Sequence, residues 1–479
     1  MDRFVFYSPT LFAFGDGEEQ NTGALVKRFG GSRVLLVYGG GSVKRNGAYD
    51  AVTASLQAEG IPYFELSGVQ ANPRSGKVYE GIDLVRRTGA DFLLALGGGS
   101  VIDSAKAIGY GLANDGDVWD FYEHTRQASA CLPIGVVLTI AASGSEMSDS
   151  SVITNDETLE KRGYNNDISR PVFAVMNPEI TMTLPPYQTA CGCTDILMHT
   201  MERYFTNGGN MEITDAIAEG LMRTVITNAK ILVDDPDNYD ARAEVMWSGS
   251  LSHNGLTGCG KNFFMRCHQL EHELSGAYDR VAHGAGLAVI FPAWAKYIYR
   301  YNVPRFARYA ANVWGIPMDF EHPERTALAG IEAVENYFRS IGMPVRLSEL
   351  SIDDSRFDEM ADIKTRMYHF AGLVYGDFDG ELIRESAKHG KVAVDVQCML
   401  RHVEPDKTMA FHDWADKKEI LPLIDYLKTD AAEAEILTGT NDRVKAAHML
   451  HEWGAKEVMI SHNTELLVYD GEKIYTCPI

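Results

Sequence analysis

One acidic residue and three histidines are spaced so that they could hold a single divalent metal ion. Asp195 and His199 are four residues apart, so on a helix they share one face. His268 and His283 would complete a four-ligand site. An aspartate with three imidazoles suits Fe²⁺ or Zn²⁺. The sequence therefore predicts a Lewis-acidic metal site that could polarise an aldehyde oxygen or lower the pKa of a bound alcohol.

His272 lies one helical turn beyond His268 and is the predicted proton relay. An imidazole can exchange a proton with a reacting oxygen near physiological pH. Taken alone, each histidine is more often an ordinary polar core or surface residue. Three histidines within sixteen residues, following a helical Asp-x-x-x-His, favour the metal site instead. The expected chemistry is hydride transfer between a carbinol carbon and a nicotinamide.

Two Gly-Gly-Gly-Ser stretches precede these histidines, and each follows an apolar run. They are Gly39, Gly40, Gly41 and Ser42, and Gly97, Gly98, Gly99 and Ser100. Glycine allows a phosphate to approach the backbone closely, and a following helix N-terminus attracts anions. Neither stretch matches G-x-G-x-x-G, but two of them together predict nucleotide binding. Thr139, Ser143 and Ser145 could add hydroxyl contacts, or could belong to an ordinary polar loop.

Strand and helix patterns alternate in the first third of the chain, which predicts a parallel sheet covered on both faces. Predicted strands are 33–38, 63–66, 91–96 and 134–139, and predicted helices are 48–59, 77–88 and one after residue 100. Long helical patterns follow at 187–204, 211–233, 239–254, 260–275, 285–301 and 324–341. We predict an α/β dinucleotide-binding domain at 1–184, an all-helical metal-binding domain at 185–368 and a further α/β segment at 369–479.

Composition excludes several classes of partner. The 479 residues carry a formal net charge of −22, which argues against nucleic acid or an anionic membrane as the main partner. No apolar run approaches the roughly 20 residues of a membrane span, and the N-terminus shows no signal-peptide core. Seven scattered cysteines suggest no disulfide framework. We expect a protein of the reducing cytoplasm that acts on a small molecule, as a homodimer or larger homo-oligomer.

The motifs closely resemble those of iron-containing (group III) alcohol dehydrogenases. The resemblance is carried by residues 97–106, by Asp195 with His199, and by residues 268–286. Residues 38–44 are similar to the NADPH-preferring butanol dehydrogenase branch. This resemblance, over about residues 1–368, implies a dehydroquinate-synthase-like fold with the metal in a cleft between the two domains. It implies Asp195, His199, His268 and His283 as ligands of Fe²⁺ or Zn²⁺. It also implies coenzyme contacts at both glycine stretches, Asp103, Thr139, Ser145 and Lys161.

Coenzyme preference has a separate physical argument. Enzymes that use NAD often place an acid near the ribose hydroxyls, and that acid repels a 2′-phosphate. Here Ser42 is followed by Val43, Lys44 and Arg45, with no acid nearby in the sequence. A hydroxyl and two cations favour a phosphate, which predicts NADP(H) over NAD(H). The alternative is that Lys44 and Arg45 are solvated surface charges.

The chain departs from the family pattern in two places. Residues 262–267 replace a stretch in which many members carry Asp-Trp, which leaves the substrate preference open. After about residue 368 the chain resembles part of a ribokinase-type (PfkB) carbohydrate kinase, on residues 372–379, 394–397, 427–439 and 453–460. Asp430 replaces the asparagine of the kinase motif that ends at Glu433, and the anion hole would lie beyond Ile479. We expect no kinase activity from this incomplete segment, and we expect exposed strand edges.

Three functions remain open at this point. The leading prediction is a metal-dependent, NADP(H)-dependent alcohol dehydrogenase or aldehyde reductase for short-chain substrates. A lyase that resembles dehydroquinate synthase would use the same fold with NAD and a metal, but it needs several Lys or Arg residues for its substrate. The third alternative is an inactive fusion whose tail serves as an interaction or oligomerisation module.

Overall fold

The computed structural model describes residues 2–206, 211–353, 367–372, 375, 377–404 and 408–478. The chain divides into two compact units, Met1–Asp353 and Asp354–Ile479. Each unit has hydrophobic core residues of its own. Part of the predicted helical domain, residues 354–366, lies outside the described residues.

A six-stranded parallel sheet forms the centre of the first domain. Its strands are β1 (Leu11–Phe14), β2 (Val34–Tyr38), β3 (Tyr63–Leu66), β4 (Phe92–Gly97), β5 (Ile134–Leu138) and β8 (Phe173–Met176), and the hairpin β6 (Ser150–Thr154) and β7 (Lys161–Asn165) stands apart from them. The order in the sheet is β1-β8-β5-β4-β2-β3. Buried parallel strands appear as continuous apolar runs, which is why β2, β4 and β5 were predictable.

Helices cover both faces of this sheet. They are α1 (Thr22–Arg28), α2 (Ser42–Arg45), α3 (Ala48–Ala58), α4 (Ser75–Thr88), α5 (Gly99–Ala113) and α6 (Trp119–Tyr122). Helices α1 and α3 pack on one face, and α4 and α5 pack on the other. From β2 the chain continues outward to β3, and from β4 it continues the opposite way to β5, so the sheet switches direction between β2 and β4. Ligands of open α/β sheets bind at such a switch point, and both glycine stretches follow these two strands.

The rest of the first unit is helical. Its helices are α7 (Pro186–Tyr204), α8 (Glu212–Asp234), α9 (Tyr239–His253), α10 (Arg266–Ala277), α11 (His283–Ile298), α12 (Val303–Trp314) and α13 (Pro323–Ser340). Their apolar faces share one core, built from Met198, Met222, Phe291 and Phe338 among others. No helix in the described part of the chain has the length and apolar character that crossing a bilayer requires.

The structure differs from the predicted elements at several points. The helix predicted from residue 260 begins only at Arg266. Gly260 has a positive φ, which a helix does not allow, and the side chain of the next residue, Lys261, forms an ion pair with Asp215. Strands β1 and β8, the hairpin and α12 were not predicted. The hairpin was missed because β7 reads Lys-Arg-Gly-Tyr-Asn, which has no alternating apolar pattern.

The second unit contains a six-stranded mixed sheet. Its strands are β9 (Met367–Phe370), β10 (Lys391–Asp395), β13 (Tyr426–Asp430), β14 (Glu457–His462), β15 (Glu465–Tyr469) and β16 (Ile474–Pro478), and β11 (Arg401–Val403) pairs separately with β12 (Met409–Phe411). The helices are α14 (Gly380–Ser386), α15 (Gln397–Leu400), α16 (Lys417–Ile420), α17 (Ala431–Thr438) and α18 (Arg443–Glu452). Strand β9 starts at Met367, two residues before the segment predicted to begin at residue 369, and it pairs in register with β10. Within the predicted kinase-like residues 372–379, positions 373, 374 and 376 lie outside the described residues.

Candidate active site

Three helices bring the four predicted metal ligands to one place. Asp195 and His199 share a face of α7, His268 lies in the first turn of α10, and His283 is the first residue of α11. Asp195, His199 and His268 are buried, whereas His283 is partly exposed. A buried acid and imidazoles on separate helices need a common partner to offset their desolvation.

The three imidazoles converge on a single carboxylate oxygen. From Asp195 Oδ1, the distance is 3.4 Å to His199 Nδ1, 3.4 Å to His268 Nε2 and 3.7 Å to His283 Nε2. The ligand atoms of Asp195, His199 and His268 all lie within 4.8 Å of one another. Asp195, His199 and His268 therefore form a compact group that could hold one cation, and His283 reaches the same carboxylate oxygen from a third helix.

Unsatisfied buried atoms show that these residues fit a metal. Within the described residues, Asp195 Oδ1, His199 Nδ1 and His268 Nε2 have no hydrogen-bond partner. Buried polar atoms without a partner are rare, because their desolvation costs about 1–3 kcal/mol each. A divalent ion bound by one carboxylate and three imidazoles would satisfy all three atoms. The donor set is the mixed oxygen and nitrogen type that iron and zinc accept.

Two glutamates stand behind the imidazoles, and the sequence analysis gave neither of them a role. Glu202 on α7 bonds Nδ1 of His268, and Glu271 on α10 bonds Nδ1 of His283. Each bond leaves the Nε2 atom of its imidazole facing Asp195. A carboxylate behind a ligating histidine fixes its tautomer and ring orientation. The sequence signal is the spacing His-x-x-Glu, which occurs both at 199–202 and at 268–271.

Burial and neighbouring charges set the protonation of this cluster. Burial, followed by the neighbouring His253 and His268, lowers the pKa of His199 well below its usual value. Burial also opposes charge on His268, but Glu202 and Asp195 outweigh it and raise the pKa of His268 to about 9. Burial acts to raise the pKa of Glu271, yet His283 and Lys161 bring that pKa down to about 2. The site is therefore arranged to hold positive charge between carboxylates.

A cavity of about 1730 Å³ lies against the metal ligands. Residues of the α/β domain and of the helical domain both line it. The predicted site residues on its wall are Gly98, Gly99, Ser100, Asp103, Ser145, Lys161, Asp195, His199, His268, His272 and His283. Its size is ample for a dinucleotide and a small substrate.

The second glycine stretch reaches this cavity at the N-terminus of α5. A Cβ added at Gly98 would lie 2.2 Å from Ile140 Cγ2, and one at Gly99 would lie 2.3 Å from Ser143 Oγ. Gly98 and Gly99 are therefore required by close packing against the neighbouring loop. No side chain caps the first turn of α5, and its residues Gly99, Ser100 and Val101 line the cavity.

The first glycine stretch, Gly97 and Thr139 are not among the residues that line this cavity. Gly40, Gly41 and Ser42 are exposed, and the carbonyl of Gly39 accepts a hydrogen bond of 3.0 Å from the Gly68 amide. The next residue, Val69, does line the cavity. The Thr139 amide donates a hydrogen bond of 3.1 Å to the Gly97 carbonyl. It thereby joins the loop after β5 to the glycine turn after β4.

An acidic residue, Glu65, lies near the first glycine stretch, although the sequence around Ser42 contains no acid. Glu65 on β3 accepts hydrogen bonds from the hydroxyls of Tyr38 at 2.5 Å and Tyr49 at 2.9 Å. The Lys44 ammonium lies 4.4 Å from the centroid of the Tyr49 ring. The expectation of no nearby acid was therefore wrong, because β3 lies next to β2 in the sheet. Two tyrosine hydroxyls already engage this carboxylate.

Lys161 joins the two walls of the cavity. Its ammonium nitrogen lies 3.0 Å from Asn72 Oδ1, 3.0 Å from Ser275 Oγ and 3.7 Å from Glu271 Oε2. It thereby links the hairpin β6–β7 to the helix that carries His268. Glu271, which Lys161 contacts, also bonds the predicted ligand His283.

His272, the predicted proton relay, lies on the cavity wall beside the metal ligands. The centroids of the His272 and His283 rings are 5.6 Å apart. Burial, followed by Lys161 and His283, lowers the pKa of His272 well below its usual value. A neutral imidazole can still accept a proton at one nitrogen and donate one from the other.

The stretch that departs from the family pattern forms another part of the wall. Phe263, Phe264 and Met265 line the cavity, and the Arg203 guanidinium lies 5.1 Å from the centroid of the Phe263 ring. Arg203 also donates to the His199 carbonyl at 2.7 Å. Phe263 therefore packs on Arg203, one helical turn after the predicted ligand His199 on α7.

Known proteins resemble this chain over the first unit. Residues 9–178 match the family "Iron-containing alcohol dehydrogenase", and residues 189–371 match "Fe-containing alcohol dehydrogenase family, C-terminal". NADH-dependent butanol dehydrogenase A of Clostridium acetobutylicum is 44% identical over 362 residues, which is 75% of this chain and 92% of that protein. NADPH-dependent aldehyde reductase YqhD of Escherichia coli is 35% identical over 358 residues, which is 74% of this chain and 91% of that protein.

Solved structures give the same result. The crystal structure of NADH-dependent butanol dehydrogenase A from Thermotoga maritima is 41% identical and superposes with a TM-score of 0.73, over 76% of this chain and 90% of that one. The matched families together span most of the chain, and several relatives exceed 40% identity. The chain therefore belongs to the iron-containing alcohol dehydrogenase family and is an oxidoreductase.

Proposed function

We propose that this protein is a metal-dependent, NADP(H)-dependent reductase of short-chain aldehydes, which also oxidises the corresponding primary alcohols. One observation carries the proposal: four convergent donor groups, three of them with an unsatisfied buried atom, lie on the same cavity as the glycine turn at Gly98. The names of the similar butanol dehydrogenases and of the aldehyde reductase suggest the substrate class.

The residues of the site have separate tasks. Asp195, His199, His268 and His283 would hold Fe²⁺ or Zn²⁺, and their second-layer partners Glu202 and Glu271 orient two of the imidazoles. A bound divalent ion would supply Lewis acidity at the substrate oxygen. His272 relays a proton between that oxygen and solvent as a neutral imidazole. The partly buried Phe263 and Met265 give the cavity wall apolar surface near the site.

Contacts at the first glycine stretch support NADPH over NADH. The exposed Ser42 hydroxyl with Lys44 and Arg45 can accept a 2′-phosphate, and the carboxylate of Glu65 is already bonded to two tyrosines. Against this preference, four of the relatives that are 40% or more identical are named NADH-dependent. Fluorescence titration of both coenzymes decides the point, and a lower Kd for NADH than for NADPH contradicts the preference.

A lyase function of the dehydroquinate synthase kind is the alternative, and the cavity argues against it. A phosphorylated, carboxylated substrate needs cations that are available for binding. Each cation on the wall already contacts a carboxylate or a carbonyl oxygen of the protein; these are Arg126, Lys161, Arg162, Arg170, Arg203 and Lys261. A net change of coenzyme redox state after turnover distinguishes a reductase from such a lyase.

The direct test is anaerobic purification with elemental analysis, followed by NADPH oxidation with C2–C8 aldehydes. We expect about one divalent ion per chain and turnover with butanal. His199→Ala and His268→Ala should each lose both the ion and the turnover. Butanal reduction by metal-free variant protein would refute the proposal.

The second unit takes no part in this reaction. We propose that it is an incomplete ribokinase-like segment without kinase activity. Its Asp430 and Glu433 form a capping box at the start of α17, so both side chains are engaged in holding a helix end. A homodimer or larger homo-oligomer, a cytoplasmic location and the absence of nucleic-acid partners stay predictions.

A further inference from the structure

A fully buried lysine stands behind the cavity wall, and the proposed reaction does not use it. Lys106 on α5 has no solvent-exposed surface and is not among the residues that line the cavity. Its ammonium nitrogen lies 2.8 Å from the Ser145 carbonyl oxygen, 2.9 Å from that of Ser148 and 2.7 Å from that of Ser150. Three carbonyl acceptors match the three protons of an ammonium group.

These three serines belong to one strip of the cavity wall. Ser145, Ser148 and Ser150 all line the cavity. The same strip begins beside the glycine turn, where Ser143 Oγ approaches Gly99 so closely that a Cβ there would clash. Residues 143–152 together form this serine strip. It therefore faces the site where the dinucleotide is proposed to bind.

A second side chain of α5 fixes the same strip. Asp103 accepts a hydrogen bond from Ser145 Oγ at 2.6 Å and another from the Val152 amide at 3.0 Å. Ser145 Oγ also lies 3.0 Å from the Lys106 nitrogen. One helical turn of α5 thus holds the strip at four backbone groups and at three hydroxyls, those of Ser145, Ser148 and Ser151. Without Lys106, three carbonyl oxygens would lose their shared donor.

We propose that Lys106 is a positioning residue for the coenzyme, whose ammonium group holds the serine strip in the conformation that receives the dinucleotide. This inference rests on the proposed coenzyme site. Lys106 does not touch the coenzyme; it acts through the carbonyl groups of Ser145, Ser148 and Ser150. Removal of the Lys106 ammonium group should therefore weaken coenzyme binding more than it weakens metal binding.

The test compares Lys106→Met and Lys106→Gln with the wild type as full-length protein. NADPH and NADH binding is measured by fluorescence titration without aldehyde, so that no turnover is required. We expect the coenzyme Kd to rise about tenfold or more, because a buried charged donor is lost. Metal content by elemental analysis should stay at the wild-type level, and the KM for butanal should change less than the KM for coenzyme.

Arg242→Met is the matched control. Arg242 is also buried, donates to two neutral oxygens, those of Thr189 and Pro236, and lies off the cavity wall. Its loss should lower Tm without changing the coenzyme Kd. An unchanged Kd in folded Lys106→Met contradicts the inference, as does an equal rise in Arg242→Met. If the wild type binds neither coenzyme, the proposed function itself has failed.

The pH profile of the wild type supplies a test that needs no variant. Burial lowers the pKa of Lys106 to about 8, although nearby acids oppose the shift. The charged or titratable groups around it are Asp103, Glu146, Asp149, Arg170, Cys131 and His253. Burial raises the pKa of Cys131 to about 12 and lowers the pKa of His253 well below its usual value, so neither changes charge between pH 7 and 9.5. A neutral amine has two protons for three carbonyls, so the coenzyme Kd should rise between pH 7 and 9.5. A flat profile contradicts the inference, and Lys106→Met should lack the rise.

Discussion

At the scale of single residues, the site is organised by carboxylates that stand behind imidazoles. Glu202 and Glu271 each bond the Nδ1 atom of a histidine whose Nε2 atom faces Asp195. Glu202 also accepts the Cys267 amide at 2.5 Å, so it ties the start of α10 to α7. The predicted ligands His268 and His283 are thereby oriented by hydrogen bonds within the protein itself.

We predict that Glu202→Gln and Glu271→Gln weaken metal binding by about 10–100-fold, because the orienting carboxylate is lost. Calorimetric titration of Fe²⁺ or Zn²⁺ into metal-free protein measures the effect. Glu335→Gln is the matched control, since Glu335 is buried and pairs with Lys296 and Arg339 away from the site. Equal metal affinity in all three variants would contradict this role.

The sequence predicted four candidate metal ligands, which the structure brings together, but it did not predict the partners of those side chains. Asp195 and His199 are separated by one helical turn, which the sequence displays directly. The partner of each glutamate lies on a different helix, 66 residues away for Glu202 and 12 residues away for Glu271. Such pairings depend on helix packing, which a single sequence does not specify.

At the scale of elements, the turn between β4 and α5 has no room for a side chain at Gly98 or Gly99. Gly98 faces Ile140, and Gly99 faces Ser143. Both neighbours line the cavity, so any displacement there alters its wall. The same helix carries Asp103 and Lys106, so one element forms the glycine turn and supports the serine strip.

We predict that Gly98→Ala raises the KM for the coenzyme and lowers stability by about 1–3 kcal/mol, because the added methyl group overpacks against Ile140. Steady-state kinetics and thermal unfolding measure both effects. Gly220→Ala is the control: its added Cβ would meet only the end of Arg223, at 3.9 Å. A Gly98→Ala protein with wild-type coenzyme KM would show that the turn does not contact the coenzyme.

Element prediction succeeded where burial dictated the pattern. The apolar runs of β2 and β4 are fully buried in a parallel sheet and were predicted to within about one residue. The start of α10 was predicted six residues too early, although Gly260 and Asn262 disfavour a helix. Their actual path depends on the ion pair between Lys261 and Asp215, which are 46 residues apart.

At the scale of the whole molecule, two compact units differ in their relation to known proteins. The family matches end at residue 371, close to the start of the second unit at Asp354. The relative from Clostridium acetobutylicum is covered over 92% of its length by 75% of this chain. Most of the second unit, from residue 372 onward, therefore lies outside the family matches. Its sheet ends in β16, most of whose residues are exposed.

We predict that a chain truncated after residue 371 keeps its metal and its butanal turnover within about twofold of the full-length protein. The reason is that every residue of the candidate site lies within Met1–Asp353. Elemental analysis and NADPH oxidation measure the outcome, with size-exclusion chromatography as the check on assembly. Loss of turnover in a folded, metal-loaded truncation would assign the tail a functional role.

The proposed metal site is tested most directly by an anomalous difference map at the iron edge, from crystals of anaerobically purified protein. We expect one peak between Asp195 Oδ1 and the ring nitrogens of His199, His268 and His283, at about 2.0–2.2 Å from each. The same map repeated at the zinc edge identifies the metal. A fully active crystal with no peak at this point would contradict the account.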